Sequence, residues 1–289
     1  MTILVRRSSR IGSRAGENAG APSKVKVSAN AHQMNMSKLH TLALRTMRPD
    51  SQQIFYRRVL GMSTQDNGGL GYSDREMSLI LTQSETPYRP QPSDLYWKIA
   101  ISVPNIELAY QQLVNRGAQV SEPHQFRDVG YLAHVTDPEG FTVELIEHWF
   151  QGDRPSEALD DTLLGGGPHI SLLILRTADI VSVERDLLEA GMTPLGVQPV
   201  EPYGFTLYFY GFTDETPPQP DLTAIENRTW LYRRPYTVLE IQHVYGLVAE
   251  THPLERAGGF AGASVHSSAP AFRIERLKLG NISFKPCMA

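Results

Sequence analysis

The chain has 289 residues, 41% of them apolar and 20% charged, which is typical of a globular protein with one large or two ordinary domains. A net charge of −4 argues against a general nucleic-acid-binding protein, which normally has a basic surplus. No apolar run approaches the ~20 residues of a membrane span, and the single cysteine, Cys287, excludes an intrachain disulfide. We therefore expect a cytoplasmic protein that acts on a small molecule and has neither nucleic acid nor a membrane as a partner.

Residues 1–36 are predicted to be an N-terminal extension outside the fold. Up to about Gln33 this segment is rich in Ser, Ala and Gly, and its one acidic residue, Glu17, stands among several arginines and lysines. Such a composition suits a transit peptide, which would place the protein in an organelle matrix. A disordered extension, or upstream sequence in front of a start at Met34 or Met36, explains the composition equally well.

Three segments of the chain share one plan, a strand followed by a capped helix, a glycine and further strands. In the first copy, LHTLALRT (Leu39–Thr46) predicts the strand. RPDSQQIFYRRVLGM predicts a helix capped by Asp50 or Ser51 and ended by Gly61. A further strand is expected over Glu76–Gln83.

The second and third copies repeat this order. YWKIAISVPN leads to a helix capped by Asn105 and ended by Gly117, and PHISLLILRT leads to ADIVSVERDLLEAGM, ended by Gly191. Strand-like runs follow each helix: Leu132–Val135, Thr142–Glu147, Phe205–Phe212 and Thr237–Val244. The repetition predicts an α+β fold assembled from copies of one βαβββ unit.

Composition shifts suggest where the domains begin and end. We predict a first domain of two units over 37–150, a linker rich in Gly and acidic residues over 151–167, and a second domain built on the third unit over 168–248. Residues 249–289 are expected to form an irregular tail with one short strand in FRIERLKLG.

The segment DPEGFTVELIEHW (Asp137–Trp149) carries a carboxylate on the inner face of a predicted strand. The Asp-Pro-Glu-Gly turn opens the strand, and Glu144 then shares a face with Thr142 and Ile146. By the same alternation Lys98, His169 and Glu240 each lie among small or polar neighbours, opposite an apolar face. A buried carboxylate must be paired, metal-bound or protonated, because an unpaired buried charge is costly.

These motifs resemble the vicinal-oxygen-chelate superfamily and, within it, glyoxalase I. HTLALRT…FYRRVLGM, KIAISVPNIELAYQQLVNRGAQV and VTDPEGFTVELIEH are similar to the family's successive landmarks, over about Leu39 to Gly246. The resemblance implies that paired βαβββ modules form a cup around one divalent metal, with ligands on the first and last strand of each module. It implies a cup shared by the second and third modules and lined by Lys98, Glu144, His169 and Glu240.

The resemblance also implies a chemistry for this cup. Glu144, His169 and Glu240 would bind a divalent metal (Zn, Ni, Mn or Fe), and a small α-hydroxy carbonyl or vicinal-oxygen compound would isomerise or be cleaved through an enediolate. Glu144 would act as general base and Lys98 would stabilise the developing charge. Independently of the resemblance, Arg233 and Arg234 in the turn before PYTVLEIQH, together with Trp230, are candidates for substrate binding; the alternative is that these arginines are solvated turn residues. A homodimer is a further expectation.

The same resemblance implies that the first module carries a degenerate site. Its ligand positions hold His40 and Ile80, and an isoleucine cannot bind a metal. The missing fourth module would begin near GFAGASV, where Gly262 stands at the ligand position.

Two alternatives stay open because Lys98 departs from the family's usual ligand. An ammonium between Glu144 and Glu240 would neutralise both and leave His169 as an ordinary hydrogen-bonded histidine, as in a metal-free protein that binds small molecules. Trp97, Trp230 and Tyr236 could then line an aromatic pocket. An extradiol-type dioxygenase would need two histidines and one glutamate on iron, and the cup offers one histidine.

Overall fold

A computed structural model describes residues 37–266 and the backbone of Lys285–Pro286. Its four α-helices are α1 (Pro49–Ile54), α2 (Ile106–Asn115), α3 (Ile180–Glu189) and α4 (Glu226–Leu231). Its strands are β1 (Lys38–Thr46), β2 (Ser63–Thr64), β3 (Leu70–Gly71), β4 (Ser78–Gln83), β5 (Tyr96–Val103), β6 (His124–Phe126), β7 (Gly130–Thr136), β8 (Thr142–Glu147), β9 (His169–Thr177), β10 (Thr193–Val200), β11 (Phe205–Gly211), β12 (Val238–Val244), β13 (Gly259–His266) and β14 (Lys285–Pro286).

In each module a helix follows the first strand. Its free N–H groups at the start are capped by a side chain, or one of them is absent because a proline stands there. The Asn105 side chain accepts a hydrogen bond from the Leu108 N–H at 2.9 Å, so the predicted cap of α2 is confirmed. The prediction that Asp50 or Ser51 caps α1 is wrong. That helix begins at Pro49, and no side chain caps it. Proline suits this position because it lacks an N–H and its φ is already helical.

An eight-stranded sheet joins the second module to the third. Its strand order is β10-β11-β12-β9-β5-β8-β7-β6, so each module contributes four strands. The first strands of the two modules, β5 and β9, pair antiparallel at the centre. Within each module the first strand pairs parallel with the last, as β5 with β8 and β9 with β12. The predicted α+β architecture of βαβββ modules is confirmed.

A six-stranded sheet, in the order β14-β13-β1-β4-β3-β2, contains the first module. In this sheet β13 pairs antiparallel with β1, as β9 does with β5. The prediction of an irregular tail is therefore wrong over Gly259–His266. The small residues of GFAGASVH show little alternation of apolar and polar side chains, so the sequence does not indicate a strand. The segment forms a strand because it pairs with the free edge of β1. The predicted strand in FRIERLKLG lies outside the described residues.

The eight-stranded sheet separates two apolar layers. One face packs under α2 and α3 and merges with the core of the first module, through residues such as Ile99, Leu113 and Leu187. The other face carries a second cluster that includes Ala100, Ile146, Leu172, Leu207 and Tyr232. This second face forms the inside of the cup.

The segment between β8 and β9, predicted to be a linker over 151–167, contains one short 3₁₀ helix, Leu164–Gly166, and is anchored to α2. The amide of Gln112 on α2 donates to the carbonyls of Asp161 and Leu163 at 2.8 and 3.0 Å. The strands before and after this segment belong to one sheet, in which β5 pairs with β9. The predicted division into two domains at this segment therefore stays a prediction. No helix in residues 37–266 is long and apolar enough to cross a membrane.

Candidate functional site

Strand register defines which residues of the two modules correspond in the cup. Glu144 on β8 is aligned with Ala100 on β5, and Glu240 on β12 is aligned with Ile174 on β9. Two residues before these first-strand positions lie Lys98 in the second module and Leu172 in the third. Since side chains two apart share a face of a strand, the four equivalent inner positions are Lys98, Glu144, Leu172 and Glu240.

Lys98 and Glu144 form a buried ion pair with a histidine beside it. Lys98 Nζ lies 2.5 Å from Glu144 Oε2, and both side chains are almost fully buried. His134 Nε2 lies 3.0 Å from Lys98 Nζ and 3.1 Å from Glu144 Oε2. The ammonium also lies over the ring of Trp97, 3.7 Å from its centroid. Carboxylate, imidazole and indole therefore all contact Lys98.

These contacts keep Glu144 ionised. Burial alone would raise the pKa of Glu144, but the positive charge of Lys98 and the hydrogen bond from His134 outweigh it and lower this pKa to about 2. A carboxylate that holds its charge this firmly is a poor proton acceptor near neutral pH. The predicted role of Glu144 as general base is therefore not favoured by its surroundings.

Glu240 has the opposite environment. Its side chain is buried, and it makes no hydrogen bond or ion pair with another residue in the described range 37–266. Burial and then the negative charge of Glu144 raise the pKa of Glu240 to about 8, although Lys98 acts against them. Glu240 is therefore mostly protonated near neutral pH, as an unpaired buried carboxyl group should be.

The four inner positions open into a cavity of about 280 Å³. Tyr203 and His124 are exposed members of its lining and mark the opening to solvent. Its walls are apolar and largely aromatic, with Trp97, Phe126, Val129, Leu132, Ile146, Leu172, Phe205, Leu207 and Tyr232 around the polar group of Lys98, His134, Glu144 and Glu240.

Helix α4 places Tyr232 in this lining. The ion pair between Arg228 and Asp128, 2.6 Å long, fixes α4 against the turn between β6 and β7. Tyr232 follows α4 directly, and its hydroxyl donates to the Val129 carbonyl at 2.8 Å. A phenol whose proton is committed to the backbone supports the shape of the wall and leaves its ring face to a ligand.

His169 is not at the position predicted for it. It begins β9, three residues before Leu172, and is aligned with Ser102 at the far end of β5. Its ring lies 5.7 Å from that of His148, and the Nε2 atoms of both rings have no partner. Burial lowers the pKa of His169 to about 4, so the ring is neutral. His169 does not line the cavity that contains Glu144 and Glu240.

The predicted substrate-binding residues also lie outside this cavity. Arg233 donates to the Thr229 carbonyl at 2.9 Å and lies over Trp149. Arg234 pairs with Glu215 at 2.6 Å and stacks on Trp230. Trp230 packs against the apolar cluster of the cup but is not part of the cavity lining. These side chains hold the turn that follows α4, so their contacts give them a structural role.

In the first module, the predicted degenerate site lies on the other sheet. His40 accepts or donates one hydrogen bond, with Asn67 at 3.3 Å, and lies in an open polar depression. Ile80 is aligned with Ala43, and Ala43 with Gly262 on β13. Ala100 and Leu172 are aligned in the same way in the eight-stranded sheet. Gly262 therefore stands at the position that corresponds to Leu172, as predicted for the start of a fourth module.

A divalent metal, which the resemblance implies, does not fit the cup. Of its four inner positions only Glu144 and Glu240 carry metal-binding groups. The third holds an ammonium bonded to Glu144, and the fourth holds the apolar Leu172. Among the described residues, no group of three or more His, Cys, Asp or Glu side chains is placed to hold a metal ion. Structural and catalytic zinc sites have at least three such ligands.

A larger cavity, of about 470 Å³, lies between the segments that precede β5 and β13. Tyr88, Tyr96 and Phe260 line it, together with Asp94 and His252. It has no buried ion pair and lies away from the four equivalent inner positions. The combination of buried charge, an unpaired carboxyl group and an apolar wall is found in the cup, and we take the cup as the functional site.

Sequence reasoning missed His134, Leu172 and Tyr232. His134 could have been found by counting outward from the turn Asp137–Gly140, because Thr136 is aligned with Thr142 and His134 with Glu144. Leu172 carries no chemical signal, and only the register of β9 with β12 shows that it stands where Lys98 stands in the other module. Tyr232 depends on the packing of α4, which the local sequence does not determine.

Comparisons with known proteins agree with this architecture. Residues 38–145 match the model of the Glyoxalase/Bleomycin resistance protein/Dioxygenase superfamily. The structure resembles glyoxalase I from Zea mays at a TM-score of 0.55 and 17% identity, over 81% of this chain and 75% of the maize chain. A point variant of that maize enzyme gives the same score and identity over 80% and 76%. No curated protein sequence matches the chain. The chain thus has the vicinal-oxygen-chelate fold.

Proposed function

We propose that the chain is a metal-independent protein that binds a small, largely apolar molecule in the cup of its second and third modules. The observation that carries this proposal is the position of Lys98. Its ammonium occupies an inner position of the cup and bonds to Glu144 at 2.5 Å, at the base of a cavity with aromatic walls. An apolar cavity with a few converging polar groups is the usual form of a small-molecule site.

The ammonium of Lys98 occupies the position beside Glu144 that a metal ion would need. A cation at Glu144 would have to displace Lys98, whose ammonium would then be buried without its counter-charge, and such a loss costs about 3–5 kcal/mol. The metal-dependent lyase or isomerase activity predicted from the resemblance is therefore opposed by Lys98 and Leu172. An iron-dependent dioxygenase is opposed for the same reason.

The first experiment combines metal analysis with ligand binding. The purified protein is analysed by mass spectrometry before and after incubation with Zn²⁺, Ni²⁺, Mn²⁺ and Fe²⁺. A panel of neutral and charged one- and two-ring compounds is then screened by thermal shift, with and without a chelator. We expect well under one ion per chain, and compounds that raise the melting temperature equally in both conditions because a ligand bound by the native state stabilises it.

Variants show whether the compounds occupy the cup. Val129→Trp adds an indole to the wall of the cup and should abolish the shifts, whereas Ala257→Trp fills the other cavity and should leave them unchanged. About one ion per chain, with binding lost on chelation, would overturn the proposal.

A second candidate function is proton transfer without a metal. It is favoured by Glu240, which has no partner in the described chain and a pKa of about 8, so that both of its protonation states are accessible near neutral pH. Such a group can exchange a proton at the carbon beside a carbonyl while Lys98 faces the oxygen. Deuterium uptake by hydroxyacetone in D₂O, followed by NMR, tests this function. Equal uptake with the wild type and with Glu240→Gln would exclude it.

A further inference from the structure

The two halves of the cup differ in the residues that stand beside each glutamate, and the first-strand position differs in charge. In the second module, Glu144 has the ammonium of Lys98 as its partner. In the third module, the position equivalent to Lys98 is Leu172, and Glu240 has no partner in residues 37–266. The site therefore contains two carboxyl groups and one bound cation. A second positive charge beside Glu240 would give both halves the same arrangement.

No residue of the described chain supplies that charge. Three cationic side chains on the strands and the helix around the cup are already engaged. Lys98 is bound to Glu144. Arg176 donates to Gln242 at 3.0 Å, stacks on Trp97 and is not part of the cavity lining. Arg228 is paired with Asp128. Since the described chain provides no cation beside Glu240, a ligand is the partner that we consider for it.

The walls of the cup suit an organic cation. Trp97, Phe126, Phe205 and Tyr232 present aromatic rings to the same cavity as Glu240. Aromatic faces attract ammonium groups, most strongly where water is excluded. The contact of Lys98 with Trp97, at 3.7 Å from the ring centroid, shows this interaction already present in the second module.

We infer that the ligand of the cup is a primary or secondary amine with an aromatic or aliphatic body, and that its ammonium group pairs with Glu240 as Lys98 pairs with Glu144. This inference rests on the proposed function. An anionic ligand is disfavoured because it would meet Glu144 and Glu240 with no free cation between them. A neutral ligand would fill the walls but would form no ion pair with Glu240, whose carboxyl group gives up its proton when an ammonium group binds beside it.

A series of three matched probes tests the inference. They are 2-naphthylmethylamine, 2-naphthylmethanol and 2-naphthoate, which share one ring system and differ in charge. Their dissociation constants are measured by isothermal titration calorimetry with the full-length protein. We expect the amine to bind at least about tenfold more tightly than the alcohol, since a charge-assisted hydrogen bond exceeds a neutral one by about 1.4 kcal/mol or more, and we expect the carboxylate to bind most weakly.

Variants at two positions separate charge pairing from general affinity. Glu240→Gln keeps the shape of the side chain and should bring the amine and the alcohol to similar affinities. Leu172→Lys supplies an internal ammonium at the position equivalent to Lys98 and should also remove the preference. Leu172→Met, of similar size without a charge, should keep the preference for the amine over the alcohol.

The outcomes distinguish this inference from the proposal beneath it. Binding of the alcohol or the carboxylate as tight as that of the amine would overturn the inference and leave the binding function standing. Persistence of the preference in Glu240→Gln would also overturn it. If the wild type binds none of the three probes and no compound of the thermal-shift panel, the binding function itself is overturned. If one variant does not fold, as judged by circular dichroism, the other still decides the result.

Discussion

Glu144 and Glu240 occupy equivalent positions on the last strands of two modules, but one carboxyl group is ionised and the other is protonated near neutral pH. The cause lies in the residues beside each carboxyl group. Lys98 on β5 and His134 on β7 stand beside Glu144. The equivalent positions beside Glu240 hold Leu172 on β9 and Phe209 on β11. Lys98 lowers the pKa of Glu144 against the effect of burial, whereas burial without a partner raises that of Glu240. An arrangement that is symmetric in its backbone is therefore asymmetric in its charge.

Removing one partner of the Lys98–Glu144 pair should lower the stability of the fold strongly, whereas replacing both partners by apolar residues should lower it little. Lys98→Met removes the cation but keeps the length of the side chain, and it leaves a buried carboxylate with only His134 beside it. We expect the free energy of unfolding to fall by about 3–5 kcal/mol. It is measured by urea denaturation near neutral pH.

The double variant Lys98→Met/Glu144→Leu is the matched control. An apolar pair of similar volume satisfies the site without charge, so most of the lost stability should return. If the double variant is as unstable as the sum of the two single variants, the pair does not act as a unit and the prediction is wrong.

Glu240 should make stability depend on pH in a defined window. Its carboxyl group has a pKa of about 8 in the folded protein against 4.5 for an ordinary glutamate, so above pH 4.5 the folded state holds a proton that the unfolded state has released. The free energy of unfolding should therefore decrease as pH rises from 4.5 to 8, by at most about 1.4 kcal/mol per pH unit. Below this window both states are protonated and the slope from Glu240 disappears.

Comparison with Glu240→Gln isolates this contribution. Burial also raises the pKa of Glu76 and of Glu147 to about 7, so both add to the slope of the wild type. The quantity to follow is the difference in unfolding free energy between the wild type and the variant at a series of pH values. A difference that does not change between pH 5 and pH 8 would show that Glu240 is already paired.

The turn that precedes β8 should be a second point of high sensitivity. Asp137 accepts hydrogen bonds from the Glu139 and Phe141 N–H groups, at 2.9 Å each, within its own turn. It also accepts from Gln52 at 2.6 Å and from Tyr56 at 2.9 Å, both in the first module. Asp137→Ala leaves these buried donors unpaired, and we expect a loss of about 3 kcal/mol or more in unfolding free energy.

Asp221→Ala is a suitable control for that substitution. Asp221 accepts from Thr223 in a turn of similar chemistry, but in an exposed loop. Its replacement should change stability little, because water can satisfy the Thr223 donors. Equal effects of the two substitutions would mean that Asp137 acts only within its turn and does not join the first module to the second.

The inner face of the cup could be predicted from the sequence only where alternation was sufficient. Glu144 and Glu240 follow short turns and stand on strands with a clear period of two, so their direction toward the cup was predictable. The resemblance to the family predicts His169 as a ligand because it lies on the first strand of the third module. The inner position is three residues later, at Leu172, and it is the register of β9 with β12 that identifies it. Strand register depends on tertiary pairing, which one sequence does not show.

The same register predicts how a metal site could be created. Lys98→His combined with Leu172→His would place an imidazole on each first strand, beside Glu144 and Glu240 on the last strands. Two histidines and two carboxylates form a ligand set suited to Zn²⁺, Ni²⁺ or Mn²⁺. We expect the double variant to take up about one ion per chain on incubation with Zn²⁺, measured by mass spectrometry after removal of excess metal.

Single variants test the reason for the expected uptake. Leu172→His alone retains the Lys98–Glu144 ion pair, so it should bind no metal. The further substitution His169→Ala in the double variant should leave the metal content unchanged, because His169 begins β9 outside the cavity. Metal in Leu172→His alone would show that Lys98 yields its place to a cation. Loss of metal with His169→Ala would return His169 to the ligand set and would contradict the equivalence of Lys98 and Leu172 on which the charge asymmetry of the cup depends.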